Sequence, residues 1–362
     1  MKKIMRLSLV VILLVCGSFN LAMAQELNIE KFGEQAVKAA LEKLKADPQT
    51  DGLACLTNAG YAMHDGKSTR ILYDVVSKHA AISMGKGNLL AVHSACYDPL
   101  WMAFVHKKSD QELMLTYVTP SPNGVSASDP VNVHIARDQS FKPFDDVLGK
   151  KAFAVVTFAN GWADNIPDDL LAGSLYHDHL CCGVFSGYFT VRYILKNIPL
   201  GEGDGYMYIG APAWCQDDYL MRALNLTPGK HGYYTMSYPW SRPWKTAERV
   251  YDNLGGIVIR YNRAAEKGQA YVLRFNWRWD EFAQRIGQPG KKLEWGKQRW
   301  LHAFYNKFAM EHLNDPEYFV SVIKVQDLKD QNDLNRLIKL GANPLEILLG
   351  PDDSWTSDTK KP

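Results

Sequence analysis

Residues 65–84, DGKSTRILYDVVSKHAAISM, and residues 217–236, DDYLMRALNLTPGKHGYYTM, align at a constant offset of 152. Asp65 meets Asp217, Arg70 meets Arg222 and Leu72 meets Leu224. Lys78-His79 meets Lys230-His231, and Ser83-Met84 meets Thr235-Met236. Further along, Tyr97-Asp98-x-Leu100 recurs as Tyr251-Asp252-x-Leu254. A hairpin-like stretch follows in each case, from Phe104-Val105 to Leu113-Met114-Leu115 and from Ile257-Val258-Ile259 to Tyr271-Val272-Leu273. Matched residues at fixed spacing are the signature of an internal repeat, so the chain reads as a tandem duplication.

Both copies carry the same coarse pattern. An amphipathic helix opens each one, about Ile29–Lys45 and Cys181–Lys196, and a short strand follows, Gly52–Leu56 and Tyr206–Ile209. A second helix, Ser68–Ser77 or Asp217–Leu226, precedes closing strands rich in β-branched and aromatic residues. This alternation predicts an α+β fold: two cores, each a sheet with helices on one face, packed as a pseudo-dimer. The first copy is expected over 25–150, the second over 151–290, and a helical C-terminal extension with a charged tail over 291–362. The polar stretch Thr119–Pro130 reads as the boundary. A strand, Ala152–Phe158, and an acidic helix start at Pro167-Asp168-Asp169 bridge the copies.

The N-terminus has to be set aside before composition is read. Lys2, Lys3 and Arg6 precede the apolar run Leu7–Cys16 and then Ala22-Met23-Ala24, a pattern that reads as a secretory signal peptide over residues 1–24. The run is too short to span a bilayer, and no later segment is long and apolar enough to do so. Cys16 would suit a lipoprotein, but Val15 stands where a small residue is required. The expected location is a bacterial periplasm. Without the leader, 38 basic residues face 39 acidic ones, so nucleic acid is not the expected partner. The 46% hydrophobic share of the whole chain excludes intrinsic disorder.

Five cysteines remain: Cys55, Cys96, Cys181, Cys182 and Cys215. An oxidising compartment permits a Cys55–Cys96 disulfide, and the odd count leaves a thiol for other chemistry. The other three lie beside histidines. Tyr176-His177-Asp178-His179-Leu180-Cys181-Cys182-Gly183 sets two imidazoles and two thiols at the start of an apolar helix. Neutral imidazole and thiolate are the ligands that zinc and related ions favour. A helix N-terminus also lowers a thiol pKa, so a metal site and a reactive cysteine both fit, as does a buried Cys-Cys pair with hydrogen-bonded histidines. Cys215 follows the strand Tyr206–Ile209 and heads the helix opened by Gln216-Asp217-Asp218, where it can join the same sheet edge. The aligned residue in the first copy is Met63, with no His/Cys motif before it.

His177-x-His179-x-Cys181-x-Gly183 opening a helix, with Cys215-x-x-Asp218 some thirty residues on, resembles the core of the FmdE family, named after a component of formylmethanofuran dehydrogenase. Gly85-Lys86-Gly87-Asn88-Leu89 matches a further family segment, but in the first copy. The resemblance implies an α+β core, a metal or thiol site around the His/Cys motif, and dimeric packing of two cores. Asp178 and Cys182 stand where the family has Gly and Pro, no cysteine follows Cys215, and Ser237-Tyr238-Pro239-Trp240 replaces the glycine-rich segment in the second copy. One copy keeps the ligands and the other the glycines. A single composite site is therefore expected, with Lys86 and Asn88 offered to an anionic ligand, the plain alternative being a tight turn.

Three functions remain open on the sequence. The first is a metal centre, zinc or another divalent transition metal, held by His179, Cys181 and Cys215 with His177 and Cys182 in reserve. In an enzyme, metal-activated water would be the nucleophile and Asp218 or Asp178 the proton carrier; a binding or carrier role fits equally. The second is a thiol-disulfide redox protein exchanging Cys181 or Cys182 with Cys215. The third is a non-catalytic structural module. The partner is a small molecule or metal, and the chain is either a monomeric pseudo-dimer or a homodimer. Gly201–Gly205 lacks the helix that a phosphate loop needs, and Trp240, Trp244, Trp277 and Trp279 suit either a groove or a core. His302 and five other histidines have no companion motif, and no G-x-S-x-G, H-E-x-x-H, P-loop or C-x-x-C-H is present.

Overall fold

Every residue of Leu53–Thr57 is buried, which a strand achieves only when both faces of its sheet are covered. The computed structural model describes residues 27–136, 140–236, 254–290 and 298–350. The expected leader, the Tyr251-Asp252 repeat, Ser237 to Trp240, Trp244 and the charged tail lie outside the described residues. No helix among those described is long and apolar enough to cross a membrane.

The first half opens with α1 (Ile29–Leu44), whose N–H at Lys31 is capped by the Asn28 side chain and which buries Phe32, Ala36, Val37 and Ala40 along one stripe. Then come β1 (Leu53–Thr57), the short hairpin β2 (Met63–His64) and β3 (Lys67–Ser68), α2 (Leu72–His79), β4 (Leu89–Ala91), β5 (Met102–Lys107), β6 (Leu113–Ser121), β7 (Gly124–Ala127) and β8 (Val131–Asn132). The sheet runs β4-β1-β5-β6-β7, with β4 parallel to β1, the remaining pairs antiparallel, and β8 also on β6. Leu53 and Cys55 pack with α1 and α2, while Ala54 and Leu56 point into a second core on the other face.

Three helices follow, α3 (Lys142–Leu148), α4 (Ala152–Ala163) and α5 (Asp168–His177). The second half comprises α6 (Cys182–Asn197), β9 (Asp204–Gly210), α7 (Cys215–Ala223), β10 (Tyr233–Thr235), β11 (Leu254–Asn262), β12 (Lys267–Phe275), α8 (Trp279–Arg285), α9 (Leu301–Met310), β13 (Val320–Leu328), α10 (Gln331–Ile338) and α11 (Pro344–Leu349). Its sheet runs β10-β9-β11-β12-β13, and β10 is parallel to β9. The first four strands thus repeat the order and sense of β4-β1-β5-β6.

The fold is α+β as expected, with five corrections. Ala152–Phe158 is not a strand but the start of α4, which is buried on nearly every side, so its apolar run carries no helical stripe. Helices cover both faces of each sheet rather than one: α6 lies under the second sheet with the shared core, and α10 and α11 pack on its other face through Leu334, Leu337, Leu345 and Leu348. Thr119–Pro130 is no linker, because most of it forms the β6–β7 hairpin. Cys55 and Cys96 are both free, since Cys55 is sealed inside β1 and Cys96 sits on an exposed loop. The C-terminal region is helical except for β13, which completes the second sheet. Trp277 and Trp279 stack at 4.9 Å in the core with Tyr305 rather than lining a groove.

Candidate metal centre

The ends of three helices meet at one point. α5 stops at His177 because Asp178 takes the left-handed conformation (φ 74°), which turns the chain and presents His179. Cys181 is the N-cap residue of α6, and Cys215 is the first residue of α7. α7 is held at its start by Asp217, which accepts the Trp214 N–H at 2.9 Å and the Tyr233 hydroxyl at 3.0 Å. Two glycines let α6 and α7 approach closely. A Cβ on Gly183 would lie 2.6 Å from the Cys215 Cβ, and one on Gly187 would lie 2.6 Å from the Gln216 carbonyl oxygen. Any larger residue at either place would push Cys215 away.

The result is a cluster of His177, His179, Cys181 and Cys215 whose ligand atoms all lie within 4.8 Å of one another. Each imidazole is oriented by a carboxylate: His177 Nδ1 lies 2.6 Å from Asp218 Oδ2, and His179 Nδ1 lies 2.6 Å from Asp178 Oδ1. An Nδ1–H given to a carboxylate leaves Nε2 as the lone-pair donor, the usual arrangement behind a metal-bound histidine. His177 Nε2 is buried and has no well-aligned hydrogen-bond partner, so its lone pair is left to a proton or to a metal ion. The residues therefore fit a metal ion.

Electrostatics point the same way. The Cys215 thiol is pulled far below its ordinary pKa by a hydrogen bond from Cys181 and then by His177 and His179. Cys181 is pushed up by the same bond and by burial. Burial works to lower the pKa of His177, but the Asp218 carboxylate and the nearby Cys215 sulfur outweigh it and raise it to about 9. In the metal-free protein a Cys215 thiolate thus stands beside a protonated His177, with His179 and the Cys181 thiol around it, at the positive ends of two helices; a metal cation would take the place of the proton. Two nitrogens and two sulfurs are a donor set for zinc and its neighbours in the transition series.

The remaining sequence candidates are not among the four clustered side chains. Cys182 points away from the cluster, and its sulfur lies 3.1 Å from His302 Nδ1. Asp178 and Asp218 are spent on orienting the histidines. Asn88 is used up structurally: it accepts the Ser83 N–H and donates to the carbonyls of Leu53 and Ala81. Lys86 sits in a 3-10 turn closed by Gly87 at φ 69°, so the glycine-rich segment is a tight turn. With Asp51, Lys107 and Trp162, Lys86 and Asn88 line a cavity of about 350 Å³. That cavity is at the Ala163 end of α4, whereas His179 packs on Phe153 at the other end, roughly 15 Å away at 1.5 Å per residue. The composite site built on Lys86 and Asn88 is not formed. His302 and Gly183 are the residues whose roles the sequence concealed. His302 meets its partner across 120 positions, which no local motif can signal.

These features define an α+β protein with a His/Cys cluster that could hold a metal ion. Residues 176–318 match the model of the FmdE family, described as "FmdE, Molybdenum formylmethanofuran dehydrogenase operon". The match begins one residue ahead of His177, and the first half, with Gly85 to Leu89, lies outside it. No curated protein and no solved structure matches the chain.

Proposed function

We propose that this chain is an exported, periplasmic metal-binding protein built by duplication of an FmdE-like unit, with one mononuclear centre. His177, His179, Cys181 and Cys215 hold the ion, zinc or another divalent transition metal. The observation that carries this reading is the pair of carboxylate-oriented imidazoles, one with an orphaned buried Nε2, within 4.8 Å of two sulfurs. A bound ion of this kind supplies a Lewis acid. Asp218 and Asp178 hold protons on the Nδ1 atoms, Cys181 and Gly183 seal the inner side, and the partly exposed His179 and Cys215 leave an outer side where a small molecule can be bound or processed. The repeated strand order of the two sheets supports duplication, and the leader-like N-terminus supports export.

A second reading has its own observation. Cys181 and Cys215 share a hydrogen bond with their pKa values driven apart, an arrangement that suits thiol-disulfide exchange. Metal analysis of purified protein together with a thiol count decides between the two. One ion per chain, lost in Cys181→Ser and Cys215→Ser but kept in Cys182→Ser, is the expected result. A metal-free protein carrying a Cys181–Cys215 disulfide would favour exchange.

A further inference from the structure

Between α5 and α6 the chain has left one helix and not yet entered the next, so its backbone groups need partners from elsewhere. Leu180, which stands between His179 and Cys181, finds them in side chains. Its N–H donates to Thr157 Oγ1 of α4 at 3.3 Å, and its carbonyl accepts Asn306 Nδ2 of α9 at 3.0 Å. The Thr157 hydroxyl gives its own proton to the Phe153 carbonyl at 2.8 Å, which turns a lone pair toward the Leu180 N–H. The Leu180 side chain is seated as closely: a Cβ on Gly161 of α4 would lie 2.7 Å from its Cδ2. One turn before Asn306 on the same face of α9, His302 places Nδ1 3.1 Å from the Cys182 sulfur. α9 thus touches the residue before Cys181 and the residue after it.

From this geometry we infer that Thr157 and Asn306 are positioning residues of the metal centre. They clamp the Leu180 peptide, and through it they set the direction in which its two neighbours, His179 and Cys181, face one ion. This role rests on the metal reading and extends the site to α4 and α9. Those helices supply no ligand among the described residues, yet they hold the backbone that carries two of the four. Thr157 and Asn306 are 2% and 5% exposed, so a bond lost from either is not replaced by bulk water. Asn306 is poorly suited to a purely structural place. Its Oδ1 is buried without a hydrogen-bond partner, so the amide is only half satisfied, and the bond it does make goes to the backbone between two ligands. Groups behind a metal's ligands act by orientation: without them the ion must itself order the ligands, and affinity falls. The bond also crosses 126 positions, tying the ligand turn to a helix that the His/Cys motif does not signal.

Cobalt(II) is the probe, because thiolate-to-cobalt charge-transfer absorption reports the sulfurs around the ion while competition with a chelator gives the affinity. Full-length protein is freed of metal and titrated as the parent, as Thr157→Val and as Asn306→Leu. Each replacement is close in shape to the original and unable to bond the Leu180 backbone. Both variants are expected to bind cobalt about tenfold more weakly, with the absorption per ion reduced toward that of Cys181→Ser. Leu337→Ala, in the core on the far face of the second sheet, is the control for stability. It should lower the unfolding midpoint while leaving affinity and spectrum at the parent's values. Variants that keep either the parent's affinity or its spectrum would overturn the clamp alone, as would losses that Leu337→Ala reproduces. A parent that binds no cobalt, or binds it without sulfur, would overturn the metal reading and the clamp with it. Thr157→Val removes only an acceptor and should stay folded, so it decides the matter if Asn306→Leu does not fold.

Discussion

At the scale of single residues, the centre depends on groups whose ordinary preferences are overridden by their neighbours. His302 shows this without being a ligand. Burial drives its pKa down to about 4, so it stays neutral and accepts the Cys182 thiol. Its folded pKa lies below the unfolded value of about 6.5. The stability it contributes is therefore complete above pH 6.5 and is lost as pH falls toward 4. In metal-free protein, the drop in unfolding free energy between pH 7 and pH 5 should be about 1–2 kcal/mol smaller in His302→Gln than in the parent. Urea titrations at the two pH values measure it, and parallel losses in both proteins would refute it. The four clustered side chains and the two carboxylates beside them were all legible in the sequence as chemistry-bearing residues. Their division was not, because Cys181 and Cys182 are neighbours in the chain yet face different partners.

At the scale of elements, the close packing of α6 on α7 decides whether the sulfurs meet. Gly183 and Gly187 lie four residues apart, one turn of α6, and both touch the first turn of α7. Gly183→Ala should destabilise the fold by about 1–3 kcal/mol and lower metal affinity more than tenfold, because α7 must shift to admit the methyl group. Calorimetry and a competitive chelator titration read the two effects; unaltered affinity would show that Cys215 is not fixed by this contact. Most helices and strands were legible from periodicity and turn residues. α4 was not: an element buried all round has no polar face, and Val155, Val156 and Thr157 favour a strand locally. Length decides such cases only when Asn160 and Gly161 are read through, since Ala152–Ala163 is long enough for a helix while the unbroken apolar run is not. The covering of both sheet faces was hidden for a related reason, since fully buried strands lose the alternation that would reveal a solvent face.

At the scale of the whole molecule, the two sheets share one interior. Ala54, Leu56 and Trp101 of the first half belong to the same buried cluster as Phe185, Tyr219, Val258 and Phe275 of the second, with α4 between them. The halves should therefore unfold together, in one calorimetric transition, and Trp101→Ala should lower that single midpoint while leaving it single. Two separate transitions would show that the halves are independent. The repeat predicted two similar sheets, and the strand order agrees. It could not predict that the glycine-rich turn would face the far end of α4, because spacing along a chain does not say which ends of two packed units meet. Four atoms make the centre, and X-ray absorption at the metal edge of the purified protein tests their arrangement most directly. Two sulfurs near 2.3 Å and two imidazole nitrogens near 2.0–2.1 Å around one ion are the expected shell. A shell without sulfur, or one unchanged by replacing Cys215 with serine, would contradict it.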